Sequence, residues 1–129
     1  ADGTLFDMGG RRGPFEYDKV HLDSPRDNVM NILKMYSEAG YKILIVTGRE
    51  FSCFEATLKS LSDNGADIED LFMREVGDKR SDPEVKEEIF WKRIADKYNV
   101  KLCFDDRTRM VDRWRAMGLE CHQVQAGDF

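Results

Sequence analysis

The chain has 129 residues, 41% of them hydrophobic, with 20 Lys and Arg against 25 Asp and Glu and a formal charge of −5. That length suits one domain with a real core, the composition is globular rather than disordered, and no apolar run reaches the length of a membrane span. A net-acidic chain is not built to coat DNA or RNA, although a few arginines suffice to grip one terminal phosphate.

Residues 2–23 are rich in Gly, Arg and aromatics, lack periodicity and read as a loop or flap. Ser24-Pro25-Arg26-Asp27 reads as a helix start, with Ser24 as N-cap and Pro25 at the first helical position. Val29, Ile32, Leu33 and Tyr36 then recur at helical spacing, and Gly40 is the stop. Residues 42–46 read as a buried strand, 52–63 as a helix closed by Asn64-Gly65, and 71–73 as a short strand. A charged, irregular stretch leads to Asp82-Pro83, which opens a helix with Val85, Ile89, Ile94 and Tyr98 toward the core. Residues 101–104 form another strand, a helix runs from about Thr108 to Gly118, and 120–124 form the last strand. Helices alternating with short apolar strands predict an α/β fold with a mostly parallel sheet. Cys53, Cys103 and Cys121 stand at no metal-ligand spacing, and Cys103 and Cys121 read as small core residues. With no signal-peptide pattern in the sequence, a soluble cytoplasmic protein is expected.

Four stations along this pattern carry chemistry. They are Asp2-Gly3-Thr4, Ile45-Val46-Thr47-Gly48-Arg49, Lys86 and Asp105-Asp106. Carboxylates hold a hard cation, a hydroxyl and backbone amides cradle phosphate, and a lysine offsets anionic charge. The ordered set predicts a magnesium-dependent phosphoryl-transfer site. Catalytic groups in such sheets gather beyond the carboxyl ends of strands. Thr47-Gly48-Arg49, Arg74 and Asp105-Asp106 each follow a strand, so one shared edge is expected. Asp2 should also follow a strand, but only Ala1 precedes it here.

These residues resemble the haloacid dehalogenase superfamily of phosphohydrolases. Ala1-Asp2-Gly3-Thr4 matches all but the leading aspartate of its first motif, and Thr47, Lys86 and Asp105-Asp106 match the other three. Arg12-Gly13-Pro14, the segment from Val85-Lys86-Glu87-Glu88 through Ile89-Phe90-Trp91-Lys92, Phe104-Asp105-Asp106-Arg107-Thr108 and Gly127-Asp128-Phe129 resemble more narrowly the 3'-phosphatase domain of bacteriophage-type polynucleotide kinase-phosphatase. The resemblance implies a Rossmann-like parallel sheet flanked by helices, with a small flap rather than a large cap. It implies a single phosphatase domain over residues 1–129, lacking its first strand and an upstream kinase domain, and the host cytoplasm as location if the source is a phage.

The implied activity is removal of 3'-phosphates from DNA or RNA ends with Mg2+, through an aspartyl-phosphate, in nucleic-acid repair. The nucleophile would be an aspartate directly before Ala1. Asp2 would act as general acid–base and bind the metal with Asp105 and Asp106. Thr47 would bind a phosphate oxygen, and Lys86 would bridge the attacking carboxylate and the phosphate. Arg12, Arg49 and Arg74 would grip substrate, the Arg-Gly-Pro context favouring Arg12 over Arg11. Asp82 supports the site in this reading, yet is equally an ordinary helix-start residue. Phe15 and Tyr17 either stack on the terminal base or pack the flap. Trp91 and Trp114 read as core or domain-edge residues, and His21 and His122 receive no role. A small-molecule or nucleotide phosphatase is the alternative enzyme. A binder of phosphorylated ends follows if the upstream aspartate is truly absent, and a scaffold is the third possibility.

Overall fold

The computed structural model describes residues 6–7, 24–25, 27–125 and 127. Its elements run in the order β1 (Phe6–Asp7), β2 (Ser24–Pro25), α1 (Asp27–Glu38), β3 (Leu44–Glu50), α2 (Phe54–Asp63), β4 (Asp70–Arg74), α3 (Asp82–Ile89), β5 (Cys103–Asp105), α4 (Thr108–Ala116) and β6 (Cys121–Gln123). The chain divides into two compact units, Ala1–Asp78 and Lys79–Phe129.

In the first unit β3 and β4 pair in parallel, with Ile45 opposite Leu71 and Thr47 opposite Met73; the register then breaks, and Glu50 lies opposite Arg74. Every second residue of β3 is buried, namely Ile45, Thr47 and Arg49. Four consecutive residues of β4, Leu71, Phe72, Met73 and Arg74, are buried, as expected of a strand covered on both faces. Helix α1 contributes Val29 and Met30 to the buried core, and α2 contributes Thr57 and Leu61.

The helix start expected at Ser24 is two residues late in the structure. Ser24 and Pro25 form a short antiparallel bridge with Asp7 and Phe6, and α1 begins at Asp27. A proline biases the residue before it toward extended backbone, and its own fixed φ suits a strand edge as well as a first helical turn. The remaining flap segment lies outside the described residues.

In the second unit β5 and β6 pair in parallel, Cys103 opposite Cys121. Phe90, Met110, Val111, Trp114 and Cys121 form the core cluster. All three cysteines are free. The Cys121 hydrogen bond and burial push the Cys103 thiol up, so it stays protonated. Helix α3 continues without a break into one π-helical turn, Phe90–Ile94, closed by Ala95 N–H donating to Phe90 O at 2.8 Å. Val85, Ile89 and Ile94 are buried as expected, and Tyr98 is half-buried. The two parallel pairs with their helices are the α/β architecture read from the pattern.

Candidate active site

The end of β3 builds the first set of groups. Thr47 is fully buried, and its Oγ1 accepts the Arg49 N–H at 3.1 Å. A threonine hydroxyl that accepts one bond still carries a proton it can donate. Thr47 and Arg49, expected just beyond a strand, lie within it, because β3 runs on to Glu50. The register break after Thr47 is a bulge-like irregularity, the feature that re-aims side chains at functional edges.

Both arginines placed here are buried, Arg49 at 1% exposure and Arg74 at 2%. Arg49 Nη1 donates to Thr57 Oγ1 at 3.0 Å, which ties β3 to α2. Arg74 Nε donates to Gly48 O at 2.8 Å and its Nη1 to Asp78 O at 3.0 Å. Arg74 therefore binds the backbone at the register break and pins the turn that follows β4. Glu50 works on the same turn, its Oε2 accepting Gly77 N–H at 3.0 Å.

The second unit gathers Lys86, Asp105 and Asp106. Lys86 is 7% exposed and its Nζ stands 3.4 Å from Asp105 Oδ2. A lysine this buried needs an anion beside it. The same Oδ2 accepts the Trp114 indole N–H at 3.2 Å, while Oδ1 accepts the Asp106 and Arg107 amides at 2.9 and 3.3 Å. Burial raises the pKa of this carboxyl, but the Lys86 charge, the Trp114 N–H and the Asp106 amide favour its ionised form, and it lies below the ordinary carboxylate range. Asp106 is 3% exposed, and its backbone carbonyl accepts Gln123 Nε2 at 2.9 Å, joining the acidic pair to β6. Asp82 is the first residue of α3, and its carboxylate accepts Arg107 Nη1 at 3.4 Å. Arg107 enters the sequence reading only within the segment 104–108, with no role of its own.

Asp2 and Arg12, like Phe15 and Tyr17, lie outside the described residues. Among the described residues no group of three or more His, Cys, Asp or Glu side chains is gathered in a form that could hold a metal. Asp105 and Asp106 still fit a hard divalent ion. They are adjacent buried carboxylates, and Asp105 already accommodates one cation, the Lys86 ammonium.

Trp114 is the residue that sequence reasoning undervalued. Of the two readings, core or domain edge, its 6% exposure makes it core, but it also orients Asp105. A signal existed, because a buried indole N–H almost always needs an acceptor.

The fold and this acidic, lysine-paired strand end define a haloacid dehalogenase-type phosphatase domain. A family model described as the polynucleotide kinase PNKP phosphatase domain matches residues 1–129, and the chain belongs to that family. It is also similar to two solved chains. One, from a structure of a Pnkp1/Rnl/Hen1 complex, is 38% identical with a TM-score of 0.95, over 100% of this chain and 44% of that one. The other, from a structure of the Pnkp1/Rnl/Hen1 RNA repair complex, is 38% identical with a TM-score of 0.95, over 99% of this chain and 41% of that one. The chain thus spans less than half the length of these relatives.

Proposed function

We propose that this chain is the catalytic core of a magnesium-dependent phosphatase that removes 3'-phosphates from polynucleotide ends, with RNA ends favoured by the RNA repair setting of its relative. The observation that carries the reading is the buried Lys86–Asp105 pair. Sequestering an ammonium and a carboxylate is costly, such groups cluster at functional sites, and both belong to stations that carry the family resemblance.

In this reading the nucleophile is an aspartate directly before Ala1, at the end of an apolar strand. It attacks phosphorus in line, and the 3'-oxygen leaves with a proton from Asp2. Asp2 then takes a proton from water, which hydrolyses the acyl-phosphate. Thr47 donates its hydroxyl proton to a phosphate oxygen. Lys86 holds the charge of the attacking carboxylate and phosphate. Asp105, Asp106 and the Asp2 carbonyl would hold Mg2+. When bound, the ion neutralises charge on the transferred group. Arg12 grips the substrate. Arg49 and Arg74 act on it from their buried positions by fixing the strand end around Thr47. Asp82 supports the acidic pair through Arg107. We further propose that the remaining length of the parent protein includes a kinase domain.

The reading is tested by rapid acid quench of the parent protein with a 3'-phosphorylated RNA oligonucleotide, followed by peptide mass spectrometry. Phosphate attached to the residue immediately before Ala1 is expected. Turnover with the label on Asp2, or with no covalent label at any time, contradicts it.

A further inference from the structure

Directly past β3, a turn of 3-10 helix over Phe51–Cys53 leads into α2. Phe51 is 56% exposed, and its ring stacks on that of Phe54 with centroids 5.0 Å apart and planes 29° from parallel. The turn is held from several sides. Glu50 Oε1 accepts the Ser52 hydroxyl at 2.9 Å, Glu50 Oε2 accepts the Gly77 amide at 3.0 Å, and the Cys53 thiol donates to Glu50 O at 3.0 Å. A single exposed aromatic residue is unremarkable by itself. Here the ring is backed by a second ring and its backbone is fixed on two sides, so little ordering remains to be done when something binds. Phe51 also lies four residues beyond Thr47, no more than about 14 Å away along extended chain. That is the strand end where ligands of open α/β sheets bind.

We propose that Phe51, backed by Phe54, is the stacking platform for the base of the 3'-terminal nucleotide. The inference rests on the phosphatase reading above and adds the group that would distinguish a nucleotide end from a bare phosphate ester. Two stacked rings offer far less area than the roughly 1,600 Å² of a stable protein interface, which favours a base over a second protein surface. Every base has a π-face, so the platform tolerates all four bases. The Glu50 carboxylate, next in sequence to Phe51, would repel a polyanionic backbone but not a neutral base.

The test compares two oligonucleotides in the parent protein, one ending in an ordinary 3'-phosphorylated nucleotide and one in an abasic 3'-phosphate. Wild type should prefer the ordinary end by about 5- to 100-fold in kcat/KM, mostly through KM, the range expected for one base–aromatic stack. Phe51→Ala should lose that preference and Phe51→Trp should keep it. Because the comparison is a ratio within each variant, partial loss of folded protein cancels. Wild type active on both ends without preference overturns the inference and leaves the phosphatase reading standing. So does Phe51→Ala retaining the full preference, the result expected if another part of the parent protein or a second copy covers the ring. Wild type active on neither end overturns the phosphatase reading and the inference with it.

Discussion

Asp105 accepts from Lys86, Trp114 and the amides of Asp106 and Arg107, so its position is determined from four directions. Removing donors one at a time should separate charge from geometry. Lys86→Met keeps the side-chain volume but strands a buried carboxylate. Loss of one partner of such a pair costs about 3–5 kcal/mol, and turnover should fall by roughly 100-fold or more if the ammonium stabilises the transferring phosphate. Urea unfolding and steady-state kinetics check the two effects. Trp114→Phe keeps the aromatic core contact and deletes only the indole N–H. It should cost about 1–3 kcal/mol in stability and weaken Mg2+ binding, read by titrating the ion in the activity assay. Unchanged ion affinity would restrict Trp114 to packing. Lys86 was legible in the sequence through the segment around it. That a buried Trp114 needs an acceptor was legible, but which one was not, because its partner lies on a strand nine residues back and no local pattern records that distance.

The helices and strands were legible wherever period and punctuation agreed. Gly40, Gly65 and Gly118 stop their helices with φ of 96°, 78° and 91°, the left-handed backbone that glycine adopts readily. At Gly118 a Cβ would meet nothing within 4 Å, so Gly118→Ala isolates backbone strain. It should destabilise by about 1 kcal/mol in urea unfolding, with kcat unaltered. Two element-level features were hidden. The register break after Thr47 depends on the partner strand β4, and the π turn after α3 depends on packing. Ile89 and Ile94 stand five residues apart, which a regular helix turns off one face and a π turn restores. Helices α3 and α4 are also joined by Glu87 and Arg113, with Nη1 and Oε1 2.8 Å apart. The Arg113 hydrogen bond holds the Glu87 carboxyl below the ordinary range, with a smaller lowering from Trp91. A folded pKa below the unfolded one means that this contribution is present above about pH 4.3 and is lost as pH falls through the folded value. Melting temperature measured against pH should therefore fall less steeply below that point in Arg113→Ala than in wild type.

At the scale of the whole chain, ordered motifs carried the family assignment, and the family model over residues 1–129 agrees with it. The site was legible in part. The sequence singled out Thr47, Lys86 and Asp105, all three of which the structure buries, whereas the burial of Arg49 and Arg74 was invisible, since an arginine's surroundings are set by contacts far along the chain. The formal charge of −5 adds a prediction about binding. A protein that grips one terminal phosphate and a base, rather than a length of backbone, releases few counterions. The logarithm of KM for a 3'-phosphorylated oligonucleotide should rise with that of salt concentration with a slope of roughly 1 to 2. A slope of 5 or more would indicate an extended backbone track. The most direct measurement is kcat/KM of the parent protein, with Mg2+, on a 3'-phosphorylated oligonucleotide, its 5'-phosphorylated counterpart, a free 3'-mononucleotide and an aryl phosphate. A preference of about tenfold or more for the 3'-phosphorylated oligonucleotide, equivalent to about 1.4 kcal/mol, is predicted. Equal efficiency on all four would contradict a polynucleotide 3'-phosphatase.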